Sequence, residues 1–484
     1  MPDQIVETPT EAPPPAAPLP WSQVPGPKPL PIFGNLLGVD RSQLHLQLEA
    51  WQRTYGDAYR IRFGPREVMV ISDPRTIAAM LRDRPDGFQR SDRLTSIAGE
   101  MGFTGLFTAN GADWRRQRPM MMSAFDPTHI RGFFPSMVTV AQRLARRWEA
   151  AAQAGHDVDL KADLMRFTVD VAAGLAFGSD VNTLEAGDDV IQKHLDQIFP
   201  ALFNRIFSPI DWWRIVKRPA DRRLEQALAA LHDAVQGFIA QARARIDADP
   251  SLREHPRNLI EAMVSARDRE GSGVSDADVA GNVLTTLLAG EDTTAHTLAW
   301  MIELLWRHPQ ALDRARDEVR SALGEARVPA TLEQAQSLDW LEACANETMR
   351  LKPVAPQLPL QAVKDTVLAG IEVPRGTIVI ALLRSASTDP RHIERADAFE
   401  PARWIAGEDV HNASTKRVSM PFGAGPRMCP GRYLALLEMR MAMAVLLAGF
   451  EIEHVGSADG GPVREHLAFT MSPLNLRIRL RRRA

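Results

Sequence analysis

Cysteine is almost absent from this chain: Cys344 and Cys429 are the two among 484 residues. Two thiols cannot build a disulfide framework, which points to a reducing compartment and a cytoplasmic protein. No run of about 18 apolar residues occurs, so no membrane-spanning segment or anchor is expected. The opening "MPDQIVETPTEAPPPAAPLPWSQVPGPKPLP" lacks the basic flank and apolar stretch of a secretory leader. Neither sign of charge dominates, with 57 Lys and Arg against 60 Asp and Glu, which argues against general nucleic-acid binding. Internal repeats are not evident, and no Pro/Gly/Ser-rich linker cuts the middle of the chain into modules.

What is present is an ordinary globular composition, 45% hydrophobic and 24% charged, long enough to bury a large core. Length alone suggests about three domains, but the missing linkers favour one body over residues 23–484. Residues 1–22 read as a disordered Pro-rich arm. "LHLQLEAWQRTYG", "VAQRLARRWEAAAQAG", "LIEAMVSARDREG" and the run from Gln310 to Ala326 follow the 3.6-residue period of amphipathic helices. "AYRIRFGPREVMVIS" alternates about a turn and reads as a hairpin. "KDTVLAGIEVPRGTIVIAL" reads as a second strand pair, bent at Pro374 and Gly376. The fold class is mainly α with a small β portion.

Chemistry concentrates around "PFGAGPRMCPGRYLALLEMRMAMAVLLAGF", where Cys429 sits in a glycine-rich loop ahead of an apolar helical run. A dinucleotide turn would need a third glycine where Met428 stands. A zinc site needs three or four ligands at short spacing, and none accompany Cys429. A buried structural cysteine is the plain alternative. The neighbours favour a fourth reading. The helix start stabilises a thiolate. Gly423, Gly425 and Gly431 let backbone amides approach the sulfur. Phe422 can pack on a flat macrocycle, and Arg427 can meet a carboxylate. One cysteine thiolate with an open opposite position is the ligation of one class of haem iron.

The pattern Phe422-x-x-Gly425-x-Arg427-x-Cys429-x-Gly431 resembles the haem-binding loop of the cytochrome P-450 family. Three further stretches carry the same resemblance. In "LEACANETMRLKP", Glu347 and Arg350 form the local i,i+3 pair of a helix. The family pairs this Glu-x-x-Arg with a later arginine, here Arg403 of "FEPARW", although Ala402 and Trp404 replace the usual Glu and Phe. Cys344, one turn earlier, reads as plain core. In "VLTTLLAGEDTTAHTLAWMIELLWRHP", local signals allow either one helix capped by Ser275 or two helices divided at Gly290. The resemblance selects one distal helix, with Ala289 and Gly290 over the haem and Asp292 and Thr293 as the acid–alcohol pair that delivers protons during oxygen activation. In "GADWRRQR", Trp114 and Arg118 alone would be a surface pair. The family uses them with Arg427 to bind haem propionates.

The resemblance covers nearly the whole chain. It implies a single domain with haem between the long distal helix and the loop and helix of Cys429. Cys429 would be the axial iron ligand, with Phe422, Gly423 and Gly431 shaping its loop. The absence of C-x-x-C-H implies haem b. The implied activity is a soluble, bacterial-type monooxygenase that hydroxylates or epoxidises an apolar substrate. The alternatives are a peroxygenase, whose members typically lack the acid–alcohol pair, and a haem-thiolate sensor without turnover. Neither a nucleotide fingerprint nor four cysteines for an iron–sulfur cluster is present. Electrons from NAD(P)H would therefore arrive through a ferredoxin or flavodoxin and its reductase. Arg115, Arg116, Arg432 and Arg440 are candidates for a basic docking patch on a monomer. By resemblance the substrate pocket draws on 94–107, 199–213, Thr293, 354–360 and 467–471.

Overall fold

The computed structural model describes residues 17–483 except 36, 179, 186–189, 209 and 408–411. The expected arm of residues 1–22 lies mostly outside this range. Its described end is built into the fold: Leu19 bridges to Ile371, and Trp21 packs on the neighbouring apolar cluster.

One helix organises the rest. Asp276–Arg307 runs for 32 residues without a break. Ser275 caps it: its hydroxyl accepts from the Asp278 amide at 3.1 Å, and the Asp278 carboxyl accepts from the Ser275 amide at 2.8 Å. Gly290 does not end the helix. A Cβ there would lie 3.4 Å from that of Ala172, so the glycine lets the neighbouring helix, Leu160–Phe177, approach closely. Both helices are buried nearly all round, as expected for central elements. Around them pack Pro127–Ala154, Asp339–Leu351 and Arg432–Gly449.

The β portion is small. Ala58–Phe63 and Arg66–Ile71 form the expected hairpin, with Ala58 opposite Ile71. The segment expected as one bent strand pair is divided in two. Thr366–Leu368 and Ile371–Val373 make a tight hairpin. Ile378–Leu382 leaves it to run parallel to Val68–Ile71 and antiparallel to Gln357–Gln361. The reason is the all-apolar "IVIAL", which suits a central strand buried on both faces. A last hairpin, Glu465–Ala468 with Thr470–Pro473, turns on the single residue Phe469 against the long helix.

Glu347, Arg350 and Arg403 come together fully buried. Arg350 meets both Glu347 oxygens at 2.8 Å and donates to the carbonyls of Ser387 and Ala398. Arg403 approaches Glu347 at 3.5 Å. The Glu400 amide and Trp404 indole also donate to the Glu347 carboxylate, at 2.8 and 2.9 Å, so the departure at position 404 supplies a donor. Cys344 is core, and burial pushes its thiol up.

Removing one partner of a buried charge pair costs roughly 3–5 kcal/mol, against about 0–1 for an exposed pair. Glu347→Ala is therefore expected to collapse the yield of folded protein. Arg115→Ala, which breaks an exposed pair with Asp86, leaves the yield unchanged. Denaturant melts of both variants check this.

Candidate active site

The cysteine loop is shaped by backbone constraint. Gly423 and Gly425 have φ of +72° and +70°. A Cβ on Gly425 would lie 2.7 Å from the Leu81 carbonyl oxygen, so no other residue fits there. The Cys429 amide closes the loop on the Phe422 carbonyl at 2.9 Å. Phe422 lies under the Arg432 guanidinium, 5.7 Å from its ring centroid. The helix begins at Arg432, so Cys429 stands just ahead of its free amides. The Cys429 side chain is solvent-accessible but hemmed in by protein. That enclosure pushes the thiol up; the Gly431 amide and the Arg118 guanidinium pull it down.

Beside the loop four guanidiniums converge. Arg118 donates to the Met428 carbonyl at 2.8 Å. Arg427 donates to the carbonyls of Leu106 and Ala109 and lies 5.3 Å from the Trp114 ring centre. Arg90 donates to the Phe107 carbonyl at 3.1 Å. Arg84 is buried, with Nε and Nη2 lacking any partner. Burial and mutual repulsion hold Arg427 down to about 9 and lower Arg90, and burial takes Arg84 to about 10. A half-buried cationic cluster, with orphaned donors on the buried Arg84, fits an anionic group such as a macrocycle carrying two carboxylates. Trp114, Arg118 and Arg427 were legible in the sequence. Arg84 and Arg90 were not, because "RDRPDGFQRSDR" reads as a solvated charge run.

On the long helix, Ala289, Gly290 and Thr293 form an accessible stripe in an otherwise buried stretch. The Thr293 hydroxyl donates to the Ala289 carbonyl at 2.8 Å. Asp292 turns inward, and burial raises its carboxyl against the pull of Lys161 and Thr470. Thr294 ties this helix to the one after Cys429 by bonding the buried Glu438. Phe107, Phe199 and Phe469, from three of the expected pocket segments, meet as a cluster: Phe469 stacks on Phe199 at 4.9 Å and meets Phe107 edge-on at 6.0 Å. Trp212 and Trp213 do not join it. They line a separate groove of about 650 Å³ with Arg41, Arg205, Arg218 and Arg223.

The expected basic patch is largely dismantled. Arg440 is buried and paired with Glu342. Arg116 pairs with Asp113 at 2.9 Å and Asp278 at 3.3 Å, and Arg115 with Asp86. Long flexible side chains find nearby carboxylates, which a reading along the chain does not reveal.

The same fold occurs in the solved heme domain of cytochrome P450DA, at a TM-score of 0.83 and 24% identity, covering 97% of this chain and 99% of that one. Residues 24–480 match the family described as Cytochrome P450. The chain belongs to the cytochrome P450 family, and it is a haem monooxygenase. It is similar to pentalenene oxygenase of Streptomyces avermitilis, 29% identical over 93% of this chain and 95% of that protein. Cyclooctat-9-en-7-ol 5-monooxygenase of Streptomyces melanosporofaciens is 27% identical over 90% and 91%. Among the described residues no helix is long and apolar enough to cross a membrane.

Glu438 gives a pH test. Burial lifts its carboxyl from 4.5 to about 8. An acid neutral in the fold but ionised when unfolded leaves stability intact below the lower value and erodes it as pH rises toward the upper one. Glu438→Gln keeps a partner for Thr294 and removes that erosion. The variant is expected to be more stable than wild type at pH 7, by roughly 1–3 kcal/mol at a scale of 1.36 per pH unit, and equal to it near pH 4. Urea melts at both pH values measure the difference.

Proposed function

We propose that this enzyme inserts one atom of dioxygen into a C–H or C=C bond of an apolar small molecule, the other atom leaving as water. The carrying observation is the accessible Cys429 thiol in its glycine loop, next to four converging guanidiniums. Haem b bound there would supply the oxygen-activating chemistry. Cys429 is the iron ligand, and the Gly431 amide tunes its sulfur. Trp114, Arg118 and Arg427 hold the propionates, joined by Arg84 and Arg90. Ala289 and Gly290, on the accessible stripe of the long helix, would leave room beside the bound group. Thr293 and Asp292 move protons toward the oxygen, and Phe107, Phe199 and Phe469 exclude water from the substrate space.

The two Streptomyces relatives are named for an alkene and an unsaturated alcohol, which supports an apolar substrate, as does the aromatic cluster. NAD(P)H is the electron source, through a ferredoxin or flavodoxin and its reductase, and the enzyme acts as a cytoplasmic monomer over residues 23–484. With Arg115, Arg116 and Arg440 neutralised by carboxylates, donor recruitment does not rest on the charge of those three. The Asp292–Thr293 pair favours this reading over a peroxygenase or a sensor.

Cys429→Ala is expected to abolish the strongly red-shifted Soret band of the ferrous carbon monoxide form; a normal shifted band in the variant removes the assignment. Thr293→Ala is expected to keep haem and substrate binding while diverting electrons to hydrogen peroxide. A positioned proton-transfer group contributes about 10²–10⁴-fold, so the diversion is readily seen in the ratio of product to peroxide with pentalenene as trial substrate. An unchanged ratio means that another route brings the protons.

A further inference from the structure

The hairpin that turns at Phe469 pays attention to one face of the long helix. Phe469 has a φ of +90°, a region that non-glycine residues rarely occupy. It is held there by its stack on Phe199 and by the Met471 amide donating to the Val354 carbonyl at 2.8 Å. This places Thr470 against the helix. Its hydroxyl lies 3.3 Å from Asp292 Oδ2 and 3.2 Å from His296 Nδ1. All three side chains are buried. Asp292 and His296 stand at i and i+4, on one helix face.

One hydroxyl carries one proton, which fixes the order of donors. With the Asp292 carboxylate accepting, Thr470 donates to it and His296 donates from Nδ1 to Thr470. His296 Nε2 is then an acceptor. It is buried without a partner and lies 4.0 Å from Asp292 Oδ1, too far for a hydrogen bond. A buried polar atom left in this state calls for an explanation. Burial also holds His296 down to about 3, so the ring is neutral. Lys161 is the charged group felt by both, and His466 is felt by His296.

We propose that Thr470 and His296 are positioning residues for Asp292, forming a hydrogen-bonded chain that fixes its carboxyl and reloads it with a proton. The inference rests on the proton-delivery role given to Asp292 above. In the reloading step a hydronium ion gives a proton to His296 Nε2 and leaves as water. The Nδ1 proton passes to the Thr470 oxygen, and the Thr470 proton passes to Asp292 Oδ2. The ring ends neutral with its proton on Nε2. No electron changes hands.

The test uses the holoenzyme with ¹⁵N-labelled histidine, in the diamagnetic ferrous carbon monoxide form. His296 is assigned by the signal lost in His296→Gln. Wild type is expected to show the Nδ1–H tautomer, and Thr470→Val to lose that preference. A His296 tautomer indifferent to Thr470→Val overturns the proposal. Turnover of pentalenene supplies the second readout. Thr470→Val and His296→Gln are expected to lower the ratio of product to peroxide about tenfold, below the full range for a direct proton donor, and to raise the solvent isotope effect at unchanged KM. Thr470→Ser, which restores the hydroxyl, is expected to match wild type. A merely steric role would rank valine above serine, and that order overturns the proposal. Asp292→Asn separates the two levels: if it uncouples while Thr470→Val does not, the relay alone fails. If Asp292→Asn leaves the ratio unchanged, the role of Asp292 itself fails.

Discussion

The structure depends on a buried carboxylate that has no idle oxygen. Glu347 receives two contacts from Arg350, one from Arg403, the Glu400 amide and the Trp404 indole. Taking such charges out of water is costly, and only near-complete hydrogen bonding offsets the cost. That requirement selects one arrangement. The helix carrying Glu347 and Arg350 must meet the segment from Ser387 to Trp404, because the Arg350 guanidinium ends on its carbonyls. The same helix packs on the one that follows Cys429 and on the long helix. The position of the cysteine loop thus follows from a cluster that touches no reacting atom.

Much of this was legible along the chain because it is local. Ser275 announces its helix three residues before Asp278, and the glycines around Cys429 announce a loop that needs positive φ. What escaped is decided by partners distant in sequence. Arg84 and Arg90 look solvated in a run of charge, but Arg84 is buried and Arg90 half-buried beside Arg427, more than 300 residues on. Arg440 looked like a surface cation one helix face away from the loop, yet Glu342 draws it inward. The apolar "IVIAL" left its hairpin because a central place between two strands was open to it. Thr470 and His296 carry no motif, and their meeting depends on the backbone of one turn.

The long helix shows how a buried element can carry polar chemistry. Its threonines at 285, 286, 293 and 297 each donate to the carbonyl four residues earlier, so they satisfy themselves without outside partners. Asp292, Thr294 and His296 reach instead to the hairpin and to Glu438. Polar groups in the core are therefore sorted into those that close locally and those that tie elements together.

The converging arginines have a consequence for the life of the protein in a cell. Until a dianion lies among them, Arg84, Arg90, Arg118 and Arg427 repel one another at close quarters. Any ligand that binds only the folded chain stabilises it by mass action, about 2.7 kcal/mol at a hundred times its Kd. Chains that have not yet been loaded spend more time open, and proteases and chaperones sort molecules by that time. The abundance of this protein would then follow the supply of its prosthetic group as closely as the rate of its synthesis.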